Sequence, residues 1–213
     1  MTDQDGSQSA ESHYELSRLL AKMGNLDLAT KHAVCAAELV PGNALYYRNG
    51  AILFDLQEEL TEAEVWLRRA EAVAPDDAET LALLVTVCRK LGKGEDAFFA
   101  ARRCRELTPT NAKSAIVMAE VLLDALQFED AAAQLAGFQG PDVDTMKTKI
   151  SKAEQDLDSV CEVFIQAWHD APETTVASSD FIETLLKLCD WKRSHEFVRQ
   201  IIETIQLNLT EYR

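Results

Sequence analysis

Proline, glycine and aromatic residues are scarce in this sequence of 213 residues, which has five prolines, eight glycines and an aromatic content of 7%. Most of the prolines and glycines fall between apolar segments of helical spacing, where they interrupt regular structure. Such a distribution indicates a chain rich in α-helix. Apolar residues still make up 47% of the sequence, which is enough to bury a sizeable core.

Positive charge is also in short supply. The sequence has 21 Lys and Arg residues against 36 Asp and Glu residues, and its net charge is -15. Nucleic acids and anionic lipids are bound by concentrated positive surfaces, so this balance argues against both as general partners. An acidic surface is compatible with high solubility or with a basic partner.

Long apolar runs are missing. No window approaches the ~20 apolar residues of a membrane helix, and the first residues do not combine a basic start with an apolar run as a signal peptide does. We therefore expect a cytoplasmic protein without membrane insertion. The cysteines form no CxxC pair and are typical of small buried residues in a reducing compartment. They are Cys35, Cys88, Cys104, Cys161 and Cys189.

Motifs of catalysis and metal binding are missing as well. The patterns GxxxxGKS/T, GxGxxG, HExxH and GxSxG do not occur. His32 and Cys35 lie three residues apart on a predicted helix, but a structural zinc site uses four ligands and no further pair has suitable spacing. The sequence therefore predicts no catalytic residues, no metal ligands and no cofactor, and a protein that is not an enzyme.

What the sequence does contain is an internal repeat of 34 residues. Three similar phrases, PGNA, PDDA and PTNA, open at Pro41, Pro75 and Pro109. The third residue of each phrase is placed to cap a following helix, and these residues are Asn43, Asp77 and Asn111. Alanine recurs in the same register, at Ala29, Ala63, Ala97 and Ala131. An identical step in four alanines predicts a repeated structural unit.

Each repeat contains two predicted helices. The first helices are expected over 10–23, 44–57, 78–91 and 112–125. The second helices are expected over 26–39, 60–73, 94–107 and 128–138. Gly24 and Gly92 fall between helices, where a left-handed residue ends the first of them. Two antiparallel helices approach closely only where side chains are small, so we expect the alanine series at their crossing, with a second small position at Ala36, Ala70 and Cys104.

This pattern resembles the tetratricopeptide repeat, which has a 34-residue period, a mid-repeat alanine and a closing proline. The residues that carry the resemblance are Leu16-Ser17, Tyr47, Gly50-Ala51 and the two series above. The resemblance covers about residues 10–143 and implies an all-α fold, a right-handed superhelical array of helix-turn-helix hairpins. Two departures are visible. His13, Tyr47, Leu81 and Ala115 take the place of a tryptophan, and Val143 takes the place of the fourth proline.

The resemblance divides the chain into three parts. Residues 1–9 are polar and without periodicity, which predicts a disordered tail. The four repeats span 10–43, 44–77, 78–111 and 112–143. Residues 144–213 are predicted to form a long helix and a diverged capping hairpin over 177–210.

The long helix is expected over 142–170, because this segment has no glycine or proline and its apolar residues recur in steps of three and four. A degenerate fifth hairpin that closes at Pro172 is the alternative. The apolar seam is equally compatible with packing on the array and with packing on a second copy as a homodimer.

In the family, the first helix of each hairpin lines a concave groove that holds partner peptides. The corresponding positions here are Tyr14, Arg18, Arg48, Asn49, Ile52, Ala82, Thr86, Arg89, Lys113, Ile116 and Glu120. Arginine binds a carboxylate through two parallel hydrogen bonds, so an acidic segment or a free C-terminal carboxylate is a predicted ligand. The alternative is that these cations pair with neighbouring Glu and Asp residues.

Some family members bind the C-terminal tails of heat-shock chaperones through a two-carboxylate clamp of Lys, Asn and Arg side chains. Started at the first repeat, only Asn49 fits that pattern. Started at the second repeat, Arg48 and Lys113 fit but both asparagines are missing. The resemblance therefore implies a protein-protein interaction adaptor or scaffold without this clamp. The alternatives are a regulatory or substrate-presenting module of a larger enzyme, such as a transferase, and a secretion-type chaperone.

Overall fold

The computed structural model describes residues 3–170, and within that range the chain has nine helices and no strand. In chain order the helices are α1 (Asp3–Lys22), α2 (Leu26–Leu39), α3 (Ala44–Leu56), α4 (Leu60–Val73), α5 (Ala78–Lys90), α6 (Gly94–Leu107), α7 (Ala112–Asp124), α8 (Phe128–Gln134) and α9 (Pro141–Asp170). The all-α fold predicted from the sequence is confirmed. The expected capping hairpin over 177–210 lies outside the described residues.

The three predicted capping residues begin α3, α5 and α7. The side-chain oxygen of Asn43 accepts a hydrogen bond from the backbone N–H of Leu45 at 3.0 Å. Asp77 accepts from Glu79 at 3.2 Å. At the start of α7, the Asn111 side chain accepts a hydrogen bond from the backbone N–H of Lys113. Each bond satisfies a backbone donor that has no partner within the helix, which stabilises a helix by about 1 kcal/mol.

The turn inside each hairpin repeats with the same 34-residue period. The residue with positive φ is Gly24 (79°), Glu58 (63°), Gly92 (71°) or Leu126 (59°). In every case the next residue donates its backbone N–H to the carbonyl five positions earlier, which ends the helix in a Schellman motif. The glycines at the first and third turns agree with the prediction. The second and fourth turns use the same backbone conformation without a glycine.

Glu58 gives a test of this strained turn. A non-glycine residue in the left-handed conformation costs roughly 1–2 kcal/mol, so Glu58→Gly is expected to raise the free energy of unfolding by about 1 kcal/mol, net of the added freedom of the unfolded chain. Urea denaturation monitored by circular dichroism measures this change. Glu62→Gly, inside α4, is the matched control and is expected to lower stability by about 1 kcal/mol. A loss of stability in both variants would contradict the proposed strain at Glu58.

The helices form two layers that the alanines hold close together. Each odd-numbered helix of the hairpins packs on the even-numbered helix that follows it, and each even-numbered helix packs on the next odd-numbered one. The four register alanines are completely buried: Ala29, Ala63, Ala97 and Ala131 are each 0% exposed. The second small position is buried too, at Ala36, Ala70 and Cys104. The predicted close crossing of the paired helices is therefore confirmed.

Two helix ends differ from the sequence prediction. Helix α1 begins at Asp3, so it includes most of the segment that we expected to be a disordered tail. This segment contains one glycine and no proline, and Ala10 is completely buried, which lets the helix continue outward from a packed position. Helix α8 was expected to reach residue 138 but ends at Gln134, and the glycines that follow it, Gly137 and Gly140, have positive φ.

Helix α9 covers the segment that was expected to form a single long helix. It packs on α7 and α8. Val143, Met146 and Ile150 are buried, and Ala153 and Leu157 are partly buried against the same core. The first half of the apolar seam therefore packs on the array and covers the apolar face of its last hairpin. None of the helices within residues 3–170 combines the length and the apolar character needed to cross a membrane.

Candidate functional site

The inner layer of the array consists of α1, α3, α5 and α7, whose side chains reach from each helix to the next. The Asn49 amide of α3 donates to Ser17 Oγ of α1 at 2.9 Å. The Tyr46 hydroxyl donates to the Glu11 carboxylate at 2.9 Å, and burial and this contact raise the pKa of Tyr46. The face of these four helices that is turned away from the outer layer is called the inner face below.

All the groove residues predicted from the sequence lie on these four helices. Tyr14 and Arg18 are on α1, and Arg48, Asn49 and Ile52 are on α3. The remaining ones are Ala82, Thr86 and Arg89 on α5, and Lys113, Ile116 and Glu120 on α7. Each of them is exposed or half-buried, as a surface position requires. Their role in binding stays a prediction.

Arg48 connects α3 to the start of α5. Its guanidinium lies 2.5 Å from a carboxylate oxygen of Asp77 and 2.9 Å from one of Glu79. Burial alone would raise the pKa of Asp77, but hydrogen bonds from Thr80 and the Glu79 N–H together with the Arg48 charge outweigh it, and the pKa is lowered. Asp77 thus caps α5 and also holds Arg48 in place.

Arg89 makes the corresponding connection from α5 to α7. Its Nε and Nη2 atoms donate to the two oxygens of Asp124 at 2.5 and 3.1 Å, and its Nη1 atom donates to Glu120. These hydrogen bonds, with that to Asp124 the strongest influence, raise the pKa of Arg89. The next residue, Lys90, reaches back to Asp55 of α3 at 2.6 Å. Helix α5 is therefore joined by ion pairs to both of its neighbours in the inner layer.

Arg18 and Lys113 have fewer restraints than the two central arginines. Arg18 is exposed, forms a 2.9 Å ion pair with Glu15 on the same helix and lies 5.5 Å from the centre of the Tyr14 ring. Lys113 is exposed, and no residue in the described range forms an ion pair with it. Arg18, Arg48 and Arg89 therefore pair with carboxylates of this chain, which is the alternative that the sequence left open for the groove cations.

A cavity of about 980 Å³ opens where the C-terminal ends of α5 and α7 meet the start of α6. Its walls include Thr86 and Arg89 from the predicted groove, together with Phe98, Phe99, Val121 and Gln127. The last four were not predicted from the sequence: Phe98, Phe99 and Gln127 lie outside the first helices to which the groove was assigned, and Val121 lies on α7 but was not among its groove positions. The adjacent pair of phenylalanines, in a chain with few aromatic residues, was the signal that marks this place. Phe99 is 54% exposed, so the cavity offers apolar surface to a ligand.

A group of possible metal ligands lies away from the inner face, at Glu64, Cys88 and Asp96. The Lys93 ammonium lies 2.5 Å from the Glu64 carboxylate and already neutralises it. Burial, with the nearby Glu64 charge, raises the pKa of the Cys88 thiol, which keeps the thiol protonated at neutral pH. This arrangement is therefore that of a structural ion pair beside a buried thiol.

Comparison with known proteins found matches among solved structures only. No protein-family model matches the sequence, and no curated protein matches it. Solved structures share its fold. The first tetratricopeptide repeat domain of Spaghetti (RPAP3), with bound HSP90 peptide SRMEEVD, is 22% identical with a TM-score of 0.53, and the match covers 57% of this chain and 95% of that domain.

Two further structures match this chain over different fractions of its length. The second such domain of human RPAP3, in complex with HSP70 peptide SGPTIEEVD, is 18% identical with a TM-score of 0.51, over 56% of this chain and 98% of that domain. The crystal structure of MamA protein is 16% identical with a TM-score of 0.55, and the match covers 67% of this chain and 75% of that chain. This chain therefore has the helical-repeat fold of tetratricopeptide repeat domains.

Proposed function

We propose that this protein is a non-catalytic interaction module that holds a segment of another protein along the inner face of α1, α3, α5 and α7. The observation that carries the proposal is the cavity of about 980 Å³ at the end of α5 and α7, whose walls combine the apolar residues Phe98, Phe99 and Val121 with charged ones such as Arg89 of the predicted groove. Peptide segments bind helical arrays by placing a few apolar side chains in such cavities while polar groups fix the orientation.

The exposed residues of α3 support the same surface. Ile52 is 40% exposed and Leu56 is 58% exposed, and both lie on the side of α3 that the outer layer does not cover. They add apolar surface to α3, and the ion pairs of Arg48 on α3 and Arg89 on α5 supply fixed charges in the same layer. The inner face thus alternates apolar patches with fixed charges, which suits an extended segment of mixed composition.

The charge of the partner segment follows from the same contacts. Arg48 and Arg89 each hold two carboxylates of this chain, so an added carboxylate would have to displace one of them. Arg18 and Lys113 are the more exposed cations, and they lie on the outermost helices of the inner layer. We propose that an acidic segment would reach both residues, or that a free C-terminal carboxylate would bind one of them, with Arg48 and Arg89 acting as structural supports.

An affinity pull-down from a lysate of source cells tests the inner face with a matched pair of variants. Ile52→Asp places a charge on the inner face, and Val65→Asp places the same charge on the outer face of α4, at a β-branched residue of similar exposure (40% and 45%). The first is expected to weaken partner capture at least about tenfold and the second to leave it unchanged, since an unpaired charge in a desolvated contact costs more than 1.4 kcal/mol.

A second inner variant tests the cavity itself. Ala125→Trp places a large ring at an exposed lining position, and we expect it to block the same partner that Ile52→Asp loses. Circular dichroism confirms that each variant is folded. Loss of the partner from Val65→Asp but not from the inner variants would move the binding surface to the outer layer. Turnover of a substrate by the purified protein alone would overturn the non-catalytic role.

The alternatives predicted from the sequence concern the setting in which the module acts. A module that presents a substrate within a larger enzyme would use the same inner face. A secretion-type chaperone would need a more continuous apolar groove than one in which Arg48, Arg89 and their carboxylates alternate with Ile52. The ion pairs of the inner face therefore favour the adaptor over the chaperone.

A further inference from the structure

The first hairpin carries a patch of exposed apolar side chains. Leu16, Leu19 and Met23 follow one another in steps of three and four, so they form one stripe along α1. They are 41%, 55% and 80% exposed, and Leu28 at the start of α2 is 42% exposed. These four residues are called the end surface below. Their exposure shows that no part of the chain within residues 3–170 covers them.

The repeat shows what covers the same positions elsewhere in the array. One period after Leu19 comes Leu53, which is buried in a cluster with residues of the preceding hairpin such as Ala29. The next two residues in this register, Val87 and Val121, are buried as well. Leu19 lies on the first helix of the described chain and has no preceding hairpin there. Apolar surface that the later repeats bury is therefore open at this end.

Leu28 departs from the register in a way that enlarges the end surface. The corresponding residues of the next three hairpins are Glu62, Asp96 and Asp130. Asp96 lies 3.6 Å from the guanidinium of Arg68 on α4, so this position faces the preceding hairpin. The first hairpin has a leucine where the others have an acidic residue. An apolar side chain at such a place contributes favourable free energy only when another surface covers it.

The opposite end of the array is closed. Helix α9 packs there on α7 and α8 and buries Val143, Met146 and Ile150. A head-to-tail stack of copies would need an apolar surface at both ends. Of the two ends that the structure describes, only the first is open. The matching surface for it is therefore the end surface of a second copy.

The charges beside the stripe fit two antiparallel α1 helices. Glu15 and Lys22 are seven positions apart, which places both on the same flank of the stripe. Lys22 is exposed and has no ion pair or hydrogen bond within the described residues. Glu15 forms an exposed ion pair with Arg18 at 2.9 Å, which is weak in solvent. A two-fold axis near Leu19 places Glu15 of each copy beside Lys22 of the other, whereas a parallel pair would bring like charges together.

We propose that this protein forms a two-fold symmetric homodimer through the end surface, with the α1 helices of the two copies packed antiparallel. Leu19 lies near the axis, and Leu16 of each copy packs toward Met23 of the other. One helix pair and the adjoining turn make a small interface, so we expect a dissociation constant of about 1–100 μM. The dimer does not depend on the function proposed for the inner face. It would present two inner faces and so bind more tightly to a partner that offers the segment twice.

Sedimentation equilibrium of the full chain, in a reducing buffer and at about 1–300 μM, tests the dimer. The mass is expected to rise from 23.7 kDa toward twice that value. Leu19→Glu places two like charges at the axis and is expected to weaken association at least about tenfold. Leu107→Glu, at a leucine of similar exposure at the end of α6, is the matched control and should associate like the wild type. A monomer at every concentration, or equal losses in both variants, would overturn the proposal.

Charge reversal tests the antiparallel arrangement. Glu15→Lys and Lys22→Glu each bring like charges together at two symmetric contacts, and each is expected to weaken the dimer about three- to tenfold. The double variant Glu15→Lys/Lys22→Glu restores both contacts and is expected to associate within about twofold of the wild type. Losses that simply add in the double variant would contradict the antiparallel pair.

Hydrogen exchange on the unmodified protein locates the interface without any variant. The amides of α1 and of the start of α2 are expected to exchange more slowly in the concentrated protein than in the dilute one, and those of α7 are expected to exchange equally in both. Protection confined to α9 would place the contact on the apolar seam of that helix and would refute a dimer through the end surface.

Discussion

Gly50→Ala is expected to lower the free energy of unfolding by about 3 kcal/mol, although replacing glycine inside a helix usually adds about 1 kcal/mol of stability. A Cβ atom at Gly50 would lie 2.4 Å from Cε3 and 2.6 Å from Cζ3 of the Trp66 ring. Trp66 is 7% exposed and is surrounded by Tyr47 and Phe54, so the ring has little room to move. Urea denaturation followed by circular dichroism measures the change.

Two controls isolate the contact with Trp66. Gly94→Ala, at the first position of α6 where a Cβ meets nothing within 4 Å, is expected to be neutral or to stabilise the protein by up to about 1 kcal/mol. The double variant Gly50→Ala/Trp66→Leu lacks the large ring. It is expected to lose less stability than the sum of the losses of the two single variants. An unchanged or increased stability of Gly50→Ala by itself would show that the ring yields without cost.

Leu84→Ala is expected to lower the free energy of unfolding by about 4 kcal/mol. Leu84 is completely buried in the core between the layers, and truncation of such a leucine removes its transfer free energy and leaves a cavity that the surrounding helices fill only in part. The loss should appear as a shift of the urea midpoint with little change in slope.

Leu107→Ala is the matched control for this prediction. Leu107 is 40% exposed at the end of α6, so its truncation is expected to cost less than about 1.5 kcal/mol. Similar losses in Leu84→Ala and Leu107→Ala would contradict the core position of Leu84.

Gly50 and Leu84 occupy the same position of successive repeats. The residues at the corresponding position of the second helix differ in size in the opposite sense. The second helix of the hairpin has Trp66 in one repeat and Ala100 in the next, so a small residue on one helix accompanies a large residue on the other. This exchange could be read from the sequence only after the period was known. The clash distance at Gly50 could not, because it depends on the separation of α3 and α4.

Much of the fold followed from local chemistry that repeats along the chain. The capping residues Asn43, Asp77 and Asn111 and the buried alanines predicted the helix starts and crossings, because capping and close approach each depend on a few atoms at fixed spacing. The turns at Glu58 and Leu126 were not marked by glycine. In these two hairpins the packing of the helices imposes the left-handed residue against its own preference.

The candidate site depended more on the tertiary structure. The sequence identified Arg48 and Arg89 as residues of the inner face but left open whether a partner or the chain's own carboxylates hold them. The carboxylates of Asp77 and Asp124 lie 29 and 35 residues further along and reach these arginines only because neighbouring repeats stack side by side. The charge that these arginines offer to a ligand is set by that stacking.

By itself, the sequence determined the period, the class of fold, the caps and the small residues at the helix crossings, since each is a local requirement that recurs every 34 residues. Only the tertiary structure decided where the cavity beside Phe98 and Phe99 opens, which carboxylates neutralise the inner arginines, and that His13 meets His32. Most of these contacts join residues of different helices, and their distances depend on how the helices pack.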